Sequence, residues 1–448
     1  MYIRRFFREL STKARPSVIP DNKVIDDINN KVYKFRKHPG VMRPKTVIIP
    51  ETFIKAAINV LEDYPVKSLI EPSQKLKRHL KSRNAPLEKE ELKEKVREIQ
   101  RRVLSKNEHI IINTEEDEVR FKQMIQNKTQ KIINENIYNW KPMKYDTFNS
   151  LVYLVGRSAA EYAVLAKIFG EIETRDPEFK PKSLFDYGSG VGTATWAANL
   201  YWKQYFLEYF NVDASREMND LAELLLKGGR GSSNFSLRGV FYRQFLPATS
   251  LSYDLVVSAY SMFELPSLQS RLETVVNLWN KTEKYLVIVE QGTNAGFKVV
   301  NELRDFLLQA NQESRKCTVF SPCPHDDICP RFLSKDGTPC NFEVAYYSLP
   351  IGATSDLKNE LYSYVVLKKC KSGAINTEIK WPRLVRPTLV RSKHTICRMC
   401  SPRGKLEEVI FTASKHGKVM YHCARSTKWG DLIPVCFKDN VNLTSDKE

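Results

Sequence analysis

The middle of the chain alternates short apolar segments with amphipathic helical patterns. Strands are predicted at residues 183–187, 209–212, 253–258 and 285–290, and helices at 193–205, 216–226, 268–278 and 299–309. Short apolar strands separated by amphipathic helices are typical of a parallel sheet with helices on both faces. The pattern therefore predicts an α/β domain over residues 181–312.

The segments on either side of this domain have different patterns. Before it, helical patterns dominate, at residues 22–36, 50–64, 86–106, 117–138 and 153–172. After it, a small β-rich unit is predicted with strands at residues 344–347, 361–367, 407–412 and 418–422. We therefore expect a helical region at 21–180, a basic β region at 313–437 and a flexible tail at 438–448.

Residues 1–20 are basic and amphipathic. They contain Arg4, Arg5, Arg8, Lys13 and Arg15, and their apolar residues fall on one side of a helix. They have no continuous apolar core of the kind that a secretory signal needs, so the segment is typical of a mitochondrial transit peptide. The alternative is an ordinary basic amphipathic helix.

The net charge is concentrated in one part of the chain. Residues 366–428 contain 15 Lys or Arg and 3 Asp or Glu, so they carry +12 of the formal +18. A surface of this kind binds polyanions such as RNA, although a solvated basic face is the alternative. No apolar run approaches the length of a membrane-spanning helix, so a soluble protein without a membrane partner is predicted.

A glycine-rich loop follows the first predicted strand of the α/β domain. Asp186 precedes three alternating glycines, Gly188, Gly190 and Gly192, and Asp213 ends the next strand. Glycines allow a tight turn, the following helix presents unpaired N–H groups, and an acid at the second strand can accept ribose hydroxyls. This spacing resembles the first motif of S-adenosylmethionine-dependent methyltransferases. The alternative is a turn that serves only helix–strand packing.

The sequence gives weaker evidence for catalysis. Residues 254–264, where methyltransferases of this fold usually carry their chemistry, lack the Asn/Asp-Pro-Pro-aromatic cluster of amino methylation. No cysteine precedes Cys317, so the sheet has no cysteine nucleophile. Glu264 and Glu290 could act as bases, but neither lies in a recognisable catalytic pattern. We therefore predict no catalytic residue.

All nine cysteines lie between Cys317 and Cys436. Cys323, Cys329 and Cys340 are next to prolines, and a distant pair, Cys397 and Cys400, could supply a fourth thiolate. Four thiolates can hold an iron–sulfur cluster or zinc, and unliganded buried cysteines remain a third possibility. The other four cysteines are predicted to be core residues.

Several motifs in combination resemble the mitochondrial methyltransferase-like family of small ribosomal subunit assembly factors. They occupy residues 157–162, 186–197, 263–267, 290–293, 322–330, 381–383 and 429–431. The resemblance implies a class I methyltransferase-like, Rossmann-type domain that binds S-adenosylmethionine but has lost activity. It also implies a 4Fe–4S cluster held by Cys323, Cys329, Cys340 and Cys400, with Cys397 as the rival fourth ligand.

The same resemblance implies a function and a location. It places the protein in the mitochondrial matrix, as a monomer on the immature small ribosomal subunit, where it contacts ribosomal RNA and proteins. There it would lie between the head and the body of the particle and block the mRNA channel. The alternative is an active methyltransferase of the small-subunit ribosomal RNA.

Overall fold

The computed structural model describes residues 16–42, 46–86, 89–111, 113–136, 142–232, 236–248, 251–314, 316–334, 336–351, 355–370 and 380–438. These residues form two compact units. The large unit contains the described residues of 46–322 and 331–370, and the small unit contains those of 16–42, 323–330 and 380–438. Most of the predicted transit peptide and nearly all of the predicted tail lie outside the described residues.

The helices of the described residues lie mainly in the large unit. They are α1 (Asn22–Asn29), α2 (Glu51–Leu61), α3 (Val66–Ser82), α4 (Lys89–Ser105), α5 (Glu115–Asn136), α6 (Thr147–Arg175), α7 (Thr193–Trp202), α8 (Arg216–Leu226), α9 (Leu268–Asn280), α10 (Asn294–Ala310), α11 (Pro330–Leu333), α12 (Ala413–His416) and α13 (Lys418–Ser426). Within the described part of the chain, no helix combines the length and apolarity needed to cross a membrane.

The strands build one large and two small sheets. They are β1 (Val18–Pro20), β2 (Ser183–Tyr187), β3 (Glu208–Val212), β4 (Val240–Arg243), β5 (Tyr253–Ala259), β6 (Thr282–Gln291), β7 (Cys317–Ser321), β8 (Phe342–Tyr347), β9 (Leu357–Lys369), β10 (Arg383–Leu384), β11 (Leu389–Val390), β12 (Thr395–Cys400), β13 (Leu406–Phe411) and β14 (Val435–Phe437).

The large sheet has the strand order β4-β3-β2-β5-β6-β9-β7, and β8 also pairs with β9. The first five strands are mutually parallel, whereas β9 runs antiparallel to β6, β7 and β8. Helices form layers around the sheet. Helix α6 packs against α3, α7 and α8, and helices α9 and α10 pack against each other and against β6. The predicted α/β fold with a class I methyltransferase-like, Rossmann-type sheet is confirmed.

The predicted membership of two strands in the small β unit is wrong. Residues 344–347 and 361–367 do form strands, within β8 and β9, but both belong to the large sheet. Residues 362–367 of β9 are all buried, which is typical of a strand covered on both faces. The domain boundaries themselves stay predictions, but Lys368 and Lys369 of the basic stretch lie in the large unit.

The small unit has its own apolar core. Strand β12 pairs with β10, β11 and β13, and β1 pairs with β14, so residues near both ends of the chain meet in one sheet. The predicted strand at 418–422 is wrong, because these residues form the start of α13. Met420, Cys423 and Ala424 recur at helical spacing and are buried against Leu384 and Phe411.

The first predicted helix belongs to this small unit. Asp21 caps α1 by accepting a hydrogen bond from the Val24 N–H at 3.3 Å, and it also accepts one from Trp381 Nε1 at 3.1 Å. The backbone N–H of Asp21 donates to Pro434 O at 2.9 Å. These long-range bonds explain why residues 22–29 separate from the helices that follow them in sequence. Helix α3 was not predicted.

A buried ion-pair network crosses the large unit. Arg157 on α6 is fully buried, and its guanidinium lies 3.2 Å from Glu161 and 2.8 Å from Glu360 on β9. Lys81 on α3 also reaches Glu360 at 3.3 Å. Burial alone would raise the pKa of Glu360, but the charges of Arg157 and Lys81 outweigh it and hold that pKa below its usual value. The Arg157 guanidinium also lies 4.9 Å from the ring centre of Tyr260.

Replacing Arg157 with Met should destabilise the large unit strongly. The substitution would leave Glu161 and Glu360 buried without their main countercharge, and breaking a buried pair in this way costs about 3–5 kcal/mol. Urea unfolding followed by tryptophan fluorescence would measure the loss. The control is Lys55→Met, which removes an exposed pair with Glu51 and should leave the unfolding midpoint unchanged. Equal midpoints for both variants would contradict the role assigned to Arg157.

Candidate functional site

The glycine loop lies at the carboxyl edge of the large sheet. It follows β2, which lies between β3 and β5, so the loop occupies the point at which the strand order reverses. Ligands of open α/β sheets bind in the crevice at this point. Gly188, Gly190 and Gly192 have φ angles of 71°, 51° and 79°, and α7 begins immediately afterwards at Thr193. The loop therefore has the left-handed backbone and the helix N-terminus that the sequence predicted.

Gly188 shows why a side chain is not tolerated in the loop. A Cβ at this position would lie 2.3 Å from Cβ of Ser261, closer than packed atoms approach. Ser261 is held in place because its hydroxyl donates to Tyr187 O at 3.0 Å and lies 2.7 Å from the hydroxyl of Ser258. The loops that follow β2 and β5 are thus in direct contact.

Asp213 is joined to the glycine loop. Its Oδ2 accepts a hydrogen bond from the Gly190 N–H at 2.8 Å, and its Oδ1 accepts one from the Ser215 N–H at 2.9 Å. Burial raises the pKa of Asp213 above its usual value, although these two backbone bonds oppose the rise. Each carboxylate oxygen can accept a further bond, so the predicted interaction with ribose hydroxyls remains chemically open.

Asp186 lies in the interior rather than in the crevice. Its side chain belongs to β2 and is only 2% exposed. Burial, reinforced by the charges of Asp213 and Glu161, raises the pKa of Asp186 to about 8. At neutral pH this carboxyl is therefore mostly protonated, which suits an internal support of the loop better than a ligand contact.

Two tyrosines beside the loop are not predicted from the sequence pattern. A Cβ at Gly190 would lie 3.8 Å from Cε1 of Tyr153, and the hydroxyl of Tyr153 donates to Glu161 Oε1 at 2.5 Å. Tyr145 packs edge-on against Tyr153 with ring centres 5.3 Å apart, and its backbone oxygen accepts a bond from the Ser215 hydroxyl at 2.7 Å. One feature of the sequence could have indicated this buried layer: Arg157 and Glu161 lie four residues apart on an otherwise apolar helix.

The segment after β5 is held by structural contacts. Glu264 pairs with Arg83, whose Nη1 lies 2.5 Å from Oε1, and it accepts the Met143 N–H at 3.1 Å. Glu290 is buried and accepts the backbone N–H groups of Met262 and Phe263 at 3.0 and 3.3 Å. Burial raises the pKa of Glu290 to about 8. Both glutamates thus fix the local backbone.

Tyr260 adds strain to the same segment. It has a φ of 59°, which side chains other than Gly seldom adopt, and its ring lies over the guanidinium of Arg157. Its hydroxyl oxygen is buried, and burial raises the pKa of Tyr260 well above the usual value. A backbone conformation of this kind persists only where the surroundings fix it, and here the Arg157 network does so.

The structure separates the two cysteines of β12 by their surroundings. Cys397 is fully buried in the apolar core of the small unit, its Sγ lies 3.9 Å from Ala424 O, and burial raises the pKa of its thiol to about 12. Cys400 lies three residues further along the strand, and its Sγ is 3.2 Å from Nε2 of His325. Residues three apart on a strand point to opposite faces. Cys400 is therefore the better fourth ligand candidate.

The remaining ligand candidates are divided between the units. Cys323 and Cys329 belong to the small unit, together with Cys400, whereas Cys340 belongs to the large unit, where Cys340 O accepts a bond from the Ser363 hydroxyl at 2.9 Å. All nine cysteines are described, and none forms a disulfide. The described residues contain no group of three or more His, Cys, Asp or Glu side chains that could hold a metal ion. The donor types suit a metal site, but an assembled site is not seen.

A match to a family model shows to which protein family the chain belongs. The model described as mitochondrial small ribosomal subunit Rsm22 matches residues 147–434, which is more than half of the chain. The chain belongs to the Rsm22 family. The matched segment spans α6, the glycine loop, the segment after β5 and the five candidate ligand cysteines.

Relatives of this family resemble the chain over different lengths. The human ribosome assembly protein METTL17, mitochondrial, is 35% identical over 430 residues, which cover 94% of this chain and 91% of that protein. The Saccharomyces cerevisiae ribosome assembly protein RSM22, mitochondrial, is 23% identical, with coverage of 46% of this chain and 48% of that protein. The resemblance stated from the sequence is confirmed. The mitochondrial names of the relatives agree with the predicted location.

Several solved structures similar to the chain are named as methyltransferases. The plantazolicin methyltransferase BpumL is 11% identical, covers 62% of this chain and 99% of its own, and has a TM-score of 0.33. A SAM-dependent methyltransferase from Aquifex aeolicus is 14% identical, covers 50% of this chain and 99% of its own, and has a TM-score of 0.31. The strand order described above, rather than these low scores, carries the fold assignment.

Replacing Asp186 with Asn should change how stability depends on pH. The folded protein keeps this carboxyl protonated to about pH 8, whereas the unfolded chain ionises it near about pH 4. Between these values the folded state binds one proton more than the unfolded state, so its stability falls as pH rises. Asn has no such proton, and the variant should therefore gain stability relative to the wild type as pH rises.

Urea unfolding of both proteins without added cofactor would measure this gain. The difference in unfolding free energy should grow by up to about 1.4 kcal/mol per pH unit between about pH 5 and about pH 8. Wild-type and variant curves that stay parallel over this range would contradict a neutral, buried Asp186.

Proposed function

We propose that the protein is an assembly factor of the mitochondrial small ribosomal subunit that binds the immature particle without transferring a methyl group. The support for the partner is membership of the Rsm22 family and 35% identity, over nearly the whole chain, to a human protein named as a mitochondrial ribosome assembly protein. In the proposed setting the protein acts in the matrix as a monomer on the particle.

The contacts of the Glu264 and Glu290 carboxyl groups support the non-catalytic part of this proposal. These two acids lie at the carboxyl edge of β5 and β6 and are the general-base candidates of the sequence. One is paired with Arg83, and the other is protonated and bonded to backbone N–H groups of the same loop. Neither is available to remove a proton from a substrate without dismantling the loop.

The methyltransferase-like domain is proposed to bind S-adenosylmethionine as a structural ligand. The left-handed glycines, the N-terminus of α7 and the remaining acceptor capacity of Asp213 support this role. The same features favour the alternative, an active methyltransferase of the small-subunit ribosomal RNA. The cofactor site alone does not distinguish the two, whereas a methyl mark on the RNA does.

The small unit is proposed to bind ribosomal RNA. Residues 380–428 contain 12 Lys or Arg and 2 acids, a net charge of 12 − 2 = +10. Arg383 is buried and donates to Gly430 O, so it is structural, but Arg391, Lys393, Arg425 and Lys428 are exposed. Such a surface neutralises phosphates and releases counterions. On the particle we place it between the head and the body, where it would block the mRNA channel.

A 4Fe–4S cluster held by Cys323, Cys329, Cys340 and Cys400 is part of the proposal. Its support is the family resemblance and the four thiols as a donor set. When bound, such a cluster supplies binding free energy that becomes folding free energy for the segments that carry its ligands. The ligand segments include residues 323–330, which group with the basic small unit.

Replacing Asp213 with Ala should abolish cofactor binding and leave the methylation of ribosomal RNA unchanged. The substitution removes the acceptor that holds both Gly190 and Ser215. Calorimetry with S-adenosylmethionine and mass spectrometry of small-subunit RNA would measure the two effects in cells that carry only the variant. Asp220→Ala, which removes an exposed carboxylate on α8, is the control and should bind normally. If the Asp213→Ala variant lost both cofactor binding and a methyl group on the small-subunit RNA, the alternative function would be established.

Cys400→Ser should remove iron and sulfide from anaerobically purified protein, whereas Cys397→Ser should retain both. The two residues lie on the same strand, but only Cys397 is enclosed in the apolar core. Metal and sulfide analysis together with visible absorption would compare the variants. Colourless protein that contains zinc would refute the iron–sulfur proposal, and loss of iron in the Cys397 variant alone would refute the ligand choice.

A further inference from the structure

A half-open cavity in the small unit has the composition of a nucleotide site. It has a volume of about 510 Å³, and its lining includes Phe35, Arg36, Val390, His422, Arg425 and Lys428. Two aromatic rings and three cations therefore face one space, and the described residues that line it include no acid. Volumes of this size are typical of sites for small molecules and cofactors.

The aromatic rings form one wall. Phe35 and His422 have ring centres 5.4 Å apart with an angle of 35° between their planes. His422 is exposed on α13, and Phe35 is half-buried in the turn after α1. The turn is joined to the helix because the Ser426 hydroxyl donates to Phe35 O at 3.4 Å. Paired rings that face a cavity are platforms on which unstacked bases of single-stranded RNA stack.

The cations beside the rings are positioned for phosphates. Arg425 donates from Nη1 to Arg391 O at 2.7 Å and to the Tyr421 hydroxyl at 3.0 Å, which fixes the guanidinium while leaving its other N–H groups for a ligand. The Arg36 guanidinium lies 5.5 Å from the ring centre of Phe35. Arginine recognises phosphate through a planar pair of donors, and Lys428 adds a further positive charge.

We propose that this cavity binds a nucleotide of single-stranded RNA. The base stacks against Phe35 and His422, and Arg36, Arg425 and Lys428 contact the flanking phosphates. The inference rests on the proposed function, in which the small unit binds ribosomal RNA, and it assigns that binding to a defined place. Rings and cations without acids favour RNA over an acidic peptide, which would engage the cations but gain nothing from stacking.

The test compares variants of the full-length protein in binding to a fluorescently labelled oligouridine. Phe35→Leu and His422→Leu keep apolar volume but remove the stacking face, so each should weaken binding about 5- to 100-fold. Arg425→Gln with Lys428→Gln should lower the slope of log affinity against log salt by about 2. The control pair is Lys405→Gln with Lys415→Gln, two exposed cations outside the lining, which should lower affinity far less at equal charge.

Cross-linking separates failure of the site from failure of the proposed function. Photo-activated 4-thiouridine in the oligonucleotide should cross-link to peptides that contain Phe35 or His422, as mapped by mass spectrometry. If the wild-type protein binds the RNA, the ring variants bind with the same affinity and the cross-links map elsewhere, the site would be overturned but RNA binding would stand. No binding by the wild-type protein would overturn both. Polyglutamate serves as the competing ligand. If it binds more tightly than the RNA, and the ring variants lose affinity for it to the same extent, the cavity would be assigned to an acidic protein and the inference overturned. Melting temperatures confirm that each variant is folded.

Discussion

The buried guanidinium of Arg157 is the interaction on which the large unit depends. It pairs with Glu161 on its own helix and with Glu360 on the reversed strand β9, and it supports the strained backbone of Tyr260 after β5. A charge in the interior is costly unless its partners are placed around it, so the positions of helix, strand and loop are mutually fixed. Glu161 extends the network to Tyr153, which lies beside Gly190. One cation therefore links the helical layer, the antiparallel part of the sheet and the cofactor edge.

The contacts of the acids near the carboxyl edge support the proposal that this edge binds a cofactor without catalysis. An acid that acts as a general base must reach the proton that it removes from the substrate. Here Glu264 is neutralised by Arg83, and Glu290 and Asp186 are protonated in the interior. Of these four acids, Asp213 combines a position at the loop with remaining acceptor capacity. These contacts agree with the proposed role of the domain as a scaffold that binds a cofactor without catalysing methyl transfer.

Local patterns in the sequence predicted the parts of the fold that depend on local physics. The bounds of β2 and α8 agree with prediction because a short apolar strand and an amphipathic helix are visible in their own residues. Strand β9 was assigned to the wrong unit because its burial arises from pairing with β6, more than 70 residues earlier, and α13 was mistaken for a strand because five residues are too few to reveal a helical period. The glycine loop was predicted from its spacing, whereas Tyr145 and Tyr153 reach it only through the tertiary fold.

The central claim is that the particle is bound by the small unit and that no RNA base enters the methyltransferase-like edge. Electron cryomicroscopy of the full-length protein on immature small subunits, purified with S-adenosylmethionine present, tests it most directly. We expect RNA density against α13 and the turn at residues 391–394, and a carboxyl edge near Gly190 that holds no nucleotide of the RNA. An RNA base extruded against the glycine loop at Gly190 would contradict this account and support the alternative, an active methyltransferase.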